Sequence, residues 1–148
     1  MKTIAALITR AGGFAAVQRR YINITNEPYM RLVVEVVSGP YPDGSHEVSV
    51  AHYGKQNGDA MRDPEILYHV GPDPLNPGKT LWRPLFIQQD YLGQYDVCAV
   101  TKPDGTYFLK NERLARSISS FAVQWDRNIA RQGFAAAFNP QPLEVVTP

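Results

Sequence analysis

The clearest periodic pattern in the chain is an amphipathic repeat close to its C-terminal end. Its apolar members are spaced by four, three, four and four residues: Leu114, Ile118, Phe121, Trp125 and Ile129. This spacing is typical of one face of an α-helix. Asn111 is suited to cap the N-terminus of such a helix, and Gly133 to follow its C-terminus. The pattern predicts a helix over residues 112–132 that packs on the core through this face.

A shorter helical pattern lies at the N-terminal end. Ile4, Leu7, Ile8 and Ala11 share one face, Thr3 is a candidate N-cap, and Gly12-Gly13 ends the pattern. Arg10 interrupts the apolar run before it reaches the length of a signal peptide. We therefore interpret this segment as the first helix of a cytoplasmic protein.

Between the two helices, apolar runs alternate with Pro- and Gly-rich segments, which is typical of strands joined by turns. The predicted strands are residues 30–37, 46–53, 65–70, 82–88 and 95–101, with 106–109 as a short hairpin mate of the last. Asn57-Gly58 is a strong hairpin signal, and Pro84 indicates an edge strand or a bulge. The sequence predicts an α+β fold: an antiparallel meander of about five strands, an N-terminal helix, and a long C-terminal helix packed on one face.

Composition indicates one globular domain. The chain has 148 residues, of which 44% are hydrophobic and 20% charged, and no apolar run is long enough for a membrane span. We expect a single domain over residues 1–138 and a Pro-rich tail over 139–148. The lone Cys98 lies in an apolar run, which predicts a buried thiol in a reducing compartment.

The net charge is only +1, but it is unevenly distributed. Residues 1–31 and 110–148 carry an excess of basic side chains, whereas residues 32–109 carry an excess of acidic ones. This asymmetry could steer a charged partner, or it could reflect a difference in composition between a sheet and its flanking helices.

Two polar blocks in the middle of the chain are distinctive. The first contains His52, Tyr53, Gln56, Asn57, Gly58, Asp59 and Asp63-Pro64-Glu65; the second contains Trp82, Pro84, Gln88, Asp90, Gly93 and Tyr95. Together they resemble an uncharacterised domain family carried on plasmids, prophages and conjugative elements, over about residues 30–100. The resemblance implies a genomic setting but no activity, because no function is established for that family. It favours a non-enzymatic cytoplasmic accessory protein of a mobile element or phage that binds a macromolecule, acting on a host defence or nucleic-acid-handling complex.

An enzymatic alternative rests on the hairpin register. A two-residue turn at Asn57-Gly58 would place Gln56 opposite Asp59, Tyr53 opposite Arg62 and His52 opposite Asp63. The same register continues with three further pairs: Val50 with Glu65, Val48 with Leu67, and His46 with His69. An imidazole oriented by a carboxylate suits a general base, and Asp59 or Asp90 could supply a second acid. A small hydrolase or transferase would use this His52/Asp63 dyad.

A structural interpretation of the same residues competes with the enzymatic one. Turn formers dominate the block, a His to Asp hydrogen bond often satisfies a buried imidazole, and Pro64 could force a bulge that breaks the register. His46, His52, His69 and Asp63 lack the spacing of known metal sites. The sequence therefore predicts no metal site, and it contains no cofactor fingerprint.

The C-terminal helix offers a third hypothesis. Its polar residues at helical spacing are Arg113, Arg116, Ser120, Gln124, Arg127 and Arg131. They form a stripe away from the apolar face, where the four arginines could contact nucleic-acid phosphates or simply be solvated. For a protein partner, the candidate exposed patches are Tyr91, Tyr95 and residues 134–138.

Overall fold

Six consecutive strands form the central sheet, in which every neighbouring pair is antiparallel and the spatial order follows the chain order. The strands are β1 (Ile22–Asn26), β2 (Tyr29–Ser38), β3 (His46–Gln56), β4 (Asp59–Pro72), β5 (Thr80–Gln89) and β6 (Gln94–Val97). The structure, a computed structural model, describes residues 1–140. The α+β meander is confirmed, with β1 as a strand that the sequence analysis did not include.

Helices cover one face of this sheet. They are α1 (Lys2–Arg10), α2 (Phe14–Arg19), α3 (Glu112–Arg131) and α4 (Phe134–Ala137). Alternate side chains of the central strands point toward them, so that Leu32, Val34 and Val36 of β2 are buried with Val48 and Val50 of β3. The opposite face of the sheet carries most of its charged and polar side chains.

The long helix α3 begins at the predicted residue, Glu112, and ends one residue before the predicted end, at Arg131. The Asn111 side chain accepts a hydrogen bond from the Leu114 backbone N–H at 3.0 Å, and Gly133 has a left-handed φ of 83°. Its buried face differs in part from the prediction: Ala115, Ile118, Ala122, Trp125 and Ile129. Phe121 is 40% exposed and Leu114 half-buried. Two small alanines allow close approach to the core, which turns the bulkier residues outward.

Helix α1 packs beside α3 at a polar contact. The backbone N–H of Thr3 and its hydroxyl both donate to the Asp126 carboxylate, at 3.2 Å each for the shortest contacts. The prediction that Thr3 caps α1 is wrong, because the N-cap position is Met1 and the Thr3 side chain is engaged by α3.

The predicted strand over residues 95–101 is divided into β6 and a short β7 (Ala99–Thr101), which pairs with β8 (Tyr107–Leu109) in a second sheet. Cys98 lies at the division, fully buried, and its thiol donates to the Pro84 carbonyl at 3.1 Å. Burial raises the pKa of this thiol. The prediction of a buried Cys98 is confirmed.

The turn between β7 and β8 is anchored to the end of the central sheet. The carbonyl oxygen of Gly105 accepts hydrogen bonds from His69 Nε2 at 2.6 Å and from Ser45 Oγ at 3.0 Å. Both donors are buried. The short hairpin therefore closes one end of the sheet face that the helices leave open.

None of the helices within residues 1–140 is long and apolar enough to cross a membrane. Residues 141–148, which hold most of the predicted Pro-rich tail and its possible edge strand, lie outside the described residues.

Candidate binding surface

The register of β3 and β4 changes at His52. Gln56 lies opposite Asp59 and Tyr53 opposite Arg62, as predicted. Next, two residues of β4, Asp63 and Pro64, oppose His52 alone, and Ala51 pairs with Glu65. The bulge anticipated at Pro64 is confirmed, since proline has no N–H to donate to the ladder.

Beyond the bulge, every predicted pair is displaced by one residue. Val50 pairs with Ile66, Val48 with Tyr68, and His46 with Val70. The predicted pairing of His52 with Asp63, and the three pairs that continued it, are therefore wrong. A single inserted residue on one strand accounts for the whole displacement.

His52 is a core residue. Its side chain is 7% exposed, and its ring centroid lies 5.5 Å from that of Trp125 and 5.4 Å from that of Phe134. Within residues 1–140 its Nε2 atom has no hydrogen-bond partner. Burial lowers the pKa of His52 to about 4. The structure thus provides no carboxylate to orient this imidazole, and the geometry proposed for a His52/Asp63 dyad is absent from the described residues.

The other predicted acidic residues have different surroundings. Asp59 is exposed at the hairpin tip, and Asp63 is half-buried at the bulge. Asp90 Oδ2 accepts hydrogen bonds from the Arg62 backbone N–H at 2.8 Å and from Arg62 Nε at 2.9 Å. These bonds lower the pKa of Asp90. In the part of the chain that the structure describes, no three His, Cys, Asp or Glu side chains form a group able to hold a metal ion.

The bulge organises a polar network on the open sheet face. It places Arg62 and Glu65, three residues apart, on the same side, with Arg62 Nη1 and Glu65 Oε1 3.7 Å apart. Ser49 Oγ donates to Glu65 Oε2 at 2.6 Å, and the Arg31 guanidinium lies 5.4 Å from the centroid of the Tyr53 ring. Burial and the nearby carboxylates of Glu65 and Glu35 raise the pKa of Tyr53.

Sequence analysis did not identify Arg31, Ser49 or Glu65 as members of this network. Regular alternation in β4 would have placed Arg62 and Glu65 on opposite faces. The sequence signal for a common face of Arg62 and Glu65 was the bulge expected at Asp63-Pro64. A bulge places these two residues on one face only if β4, and not β3, carries the extra residue.

Aromatic and apolar side chains are exposed at the end of the sheet next to this network. We call this surface the β6 corner; it comprises Tyr91, Leu92, Tyr95 and Val97, which are between 40% and 72% exposed. Tyr91 and Leu92 lie on a short 3-10 turn, Asp90–Leu92, and Tyr95 and Val97 on β6. In the described residues β6 pairs only with β5, so its outer edge is unoccupied.

The two polar blocks of the sequence meet at the β6 corner. Asp90 binds Arg62 in the β3–β4 hairpin, and the Tyr91 hydroxyl donates to the Lys55 carbonyl at 3.3 Å. A Cβ atom at Gly54 would lie 2.6 Å from the Tyr91 hydroxyl oxygen. The absence of a side chain at Gly54 therefore leaves the space in which the Tyr91 hydroxyl lies against the hairpin.

In the other patch predicted for a partner, residues 134–138, the three alanines are exposed but the two aromatic side chains are not. Phe134 is fully buried against His52, and the Phe138 ring is covered by the Arg10 guanidinium, 5.2 Å from its centroid. The prediction of Phe134 as an exposed residue is wrong, because α4 folds this segment back onto the sheet.

The polar stripe of α3 is fully accessible. All six of its members are exposed: Arg113, Arg116, Ser120, Gln124, Arg127 and Arg131. The ion pairs found within residues 1–140 both involve Arg62, so none of these four arginines has an acidic partner there.

The Arg62–Asp90 contact gives a stability prediction. Replacement of Asp90 by Ala should lower the free energy of unfolding by about 1–3 kcal/mol, because the Arg62 backbone N–H and guanidinium lose their acceptor. Asp59→Ala, at the exposed hairpin tip, should change it by less than about 0.5 kcal/mol. Urea denaturation at neutral pH measures both. Equal effects of the two substitutions would contradict a structural role for Asp90.

Comparison with known proteins gives one match. The family model described as "Domain of unknown function (DUF6908)" matches residues 2–135. The match includes the N-terminal helices and α3, which the sequence analysis had placed outside its resemblance. No curated protein and no solved structure matches the chain.

Proposed function

This chain belongs to the uncharacterised family DUF6908, and we propose that it is a non-enzymatic module that binds a protein partner at the β6 corner. The observation that carries the proposal is the exposure of Tyr91, Leu92, Tyr95 and Val97 as one group beside the Arg62–Asp90 ion pair. Tyrosine and arginine are enriched among the residues that contribute most to protein–protein affinity.

The corner is rigidly supported. The 3-10 turn is fixed to the β3–β4 hairpin by the Asp90 and Tyr91 contacts, and Tyr95 packs against Phe86, with ring centroids 5.2 Å apart. A prearranged apolar surface loses little conformational entropy when it binds, which favours affinity.

The partner that fits this surface is an extended protein segment. The outer edge of β6 carries backbone donors and acceptors that a further strand can pair with, and Tyr95 and Val97 lie on one side of that edge. A strand with apolar side chains on the matching side would extend the sheet and cover both residues at once.

We propose that the protein is a cytoplasmic accessory protein of a mobile element or phage. The resemblance of the two polar blocks to a family carried on plasmids, prophages and conjugative elements supports that setting. A host defence or nucleic-acid-handling complex is the proposed target, since accessory proteins of such elements meet these complexes in the cell.

Peptide selection tests the proposal. Peptides of about ten residues, selected from a random display library on the intact protein, should show alternating apolar residues. Tyr95→Ala should weaken their binding by about tenfold or more, because it removes the central exposed aromatic ring. Isothermal titration calorimetry measures the dissociation constants.

The matched control is Tyr21→Ala, an exposed tyrosine beside β1 at the opposite edge of the sheet. It should leave peptide affinity unchanged, whereas N-methylation of the peptide backbone should abolish binding by removing donors to the β6 edge. The proposal fails if the selected peptides bind equally well to the Tyr95 and Tyr21 variants, or if N-methylation has no effect.

A further inference from the structure

We propose that the outward face of α3 binds duplex DNA, with its two arginine pairs contacting phosphates on either side of the major groove. The surface is the stripe of six exposed polar residues on this helix. It lies on the helix layer, whereas the β6 corner belongs to the sheet, so this inference stands independently of the protein partner.

The stripe lies directly opposite the buried face of α3. At about 100° per residue, its members fall about 180° from the line through Ile118 and Ile129. Exposed positions cover about 200° of the helix circumference. More than half of the circumference of α3 is therefore exposed, and the stripe lies at the middle of this exposed range.

Positive charge dominates the projecting surface. Arg113 and Arg116 form one pair near the N-terminus of α3, and Arg127 and Arg131 form another near its C-terminus. Of the two acidic residues of this helix, Asp126 is turned toward α1 and accepts hydrogen bonds from Thr3. The other, Glu112, is exposed in the first turn and lies about 100° around the helix from Arg113. The arginines are thus available for phosphate oxygens, which guanidinium groups contact in a bidentate geometry.

The spacing of the two pairs favours a duplex. Their midpoints are about 22 Å apart along the helix axis, given a rise of about 1.5 Å per residue. The major groove is about 12 Å wide, so its two flanking backbones lie closer together than the two arginine pairs. A helix that crosses the groove at an angle would therefore carry one arginine pair over each backbone, with Ser120 and Gln124 above the groove between them.

Fluorescence anisotropy with the full chain and a mixed-sequence duplex of about 20 base pairs, roughly two helical turns, tests this proposal. We expect affinity to fall steeply between about 50 and 200 mM salt. The double substitutions Arg113→Ala/Arg116→Ala and Arg127→Ala/Arg131→Ala should each reduce the slope of log K against log salt by about 2, because each removes two phosphate contacts.

The matched control is Arg19→Ala/Arg20→Ala, which removes two exposed arginines at the end of α2. It has the same effect on net charge but should leave the salt slope unchanged. Since all of these side chains are exposed, thermal unfolding should give equal melting temperatures for the three variants.

Four results would overturn the proposal. The first two are no duplex binding at low salt and an equal reduction of the salt slope with the control pair. The other two are tighter binding of a single strand of the same length, and binding of the full chain to anionic lipid vesicles but not to DNA. The last two results would reassign the stripe to a different anionic partner.

Discussion

The free energy of unfolding is expected to fall by about 3 kcal/mol between pH 7 and pH 4 because of His52 alone. Burial against Trp125 and Phe134 lowers the pKa of this imidazole from 6.5 to about 4. Below pH 6.5 the unfolded chain takes up a proton that the folded chain does not. The contribution of His52 to the free energy of unfolding is therefore present above pH 6.5, and it is lost progressively as the pH falls from 6.5 to about 4.

Two substitutions isolate this contribution. His52→Leu keeps an apolar side chain in the core and removes a buried nitrogen that has no partner in residues 1–140. It should be at least as stable as the wild type at pH 7 and about 3 kcal/mol more stable at pH 4. His52→Ala should be destabilised by about 2–4 kcal/mol at pH 7, since it leaves a cavity between the sheet and α3.

Urea denaturation followed over this pH range measures these differences. His46, whose pKa burial also lowers, is present in every variant, so its contribution cancels in the comparison. Parallel stability curves for the wild type and His52→Leu would show that His52 does not titrate as a buried group.

Replacement of Gly105 by Ala is expected to lower the free energy of unfolding by about 2–5 kcal/mol. Gly105 has a φ of 96°, which an alanine adopts only with strain. A Cβ atom there would overlap the Asp43 carboxylate and lie 2.7 Å from Tyr41 Cβ. Relief of this overlap must displace the turn whose carbonyl binds His69 and Ser45.

Gly44→Ala separates backbone strain from crowding. Gly44 also has a positive φ, 84°, but a Cβ atom there would have no neighbour within 4 Å. Gly44→Ala should therefore lower the free energy of unfolding by about 1 kcal/mol, from backbone strain alone. Thermal and urea denaturation compare the two variants. Similar losses at both positions would contradict a tightly packed docking of the β7–β8 turn.

Elements with strong local signals could be predicted from the sequence. Helix α3 has a long apolar repeat with Asn111 before it and Gly133 after it, and local interactions are enough to define both ends. The β3–β4 hairpin is predictable near its tip for the same reason, because an Asn-Gly turn determines the pairing of the residues next to it.

Features that depend on tertiary packing could not be predicted in the same way. Strand β1 has only two buried apolar residues, Ile22 and Ile24. It forms a strand because its backbone pairs with the outer edge of β2. The rotation of α3 about its axis depends on how closely Ala115 and Ala122 approach the core, which residue spacing alone does not define.

The candidate site shows both situations. Exposure of the arginine stripe follows from helix periodicity, and Tyr91 and Tyr95 were named as candidates for an exposed patch; all of these side chains are exposed. The network of Arg31, Ser49 and Glu65 joins three strands, and its existence depends on a bulge whose position changes the register of all later pairs.

The bulge at Asp63-Pro64 also makes β4 tolerant of a change in chain length at one place. In a regular strand, loss of one residue moves every side chain beyond it to the opposite face of the sheet. Between Arg62 and Glu65 the residue lost would be the extra residue of the bulge, so that one residue opposes His52 while Arg62 stays opposite Tyr53 and Glu65 opposite Ala51. Arg62 and Glu65 would then share a face by regular alternation, and Arg62 would stay on the side of the sheet where it binds Asp90. The same deletion between Glu65 and Val70 has no bulge in β4 to absorb it and would exchange the two faces of the strand.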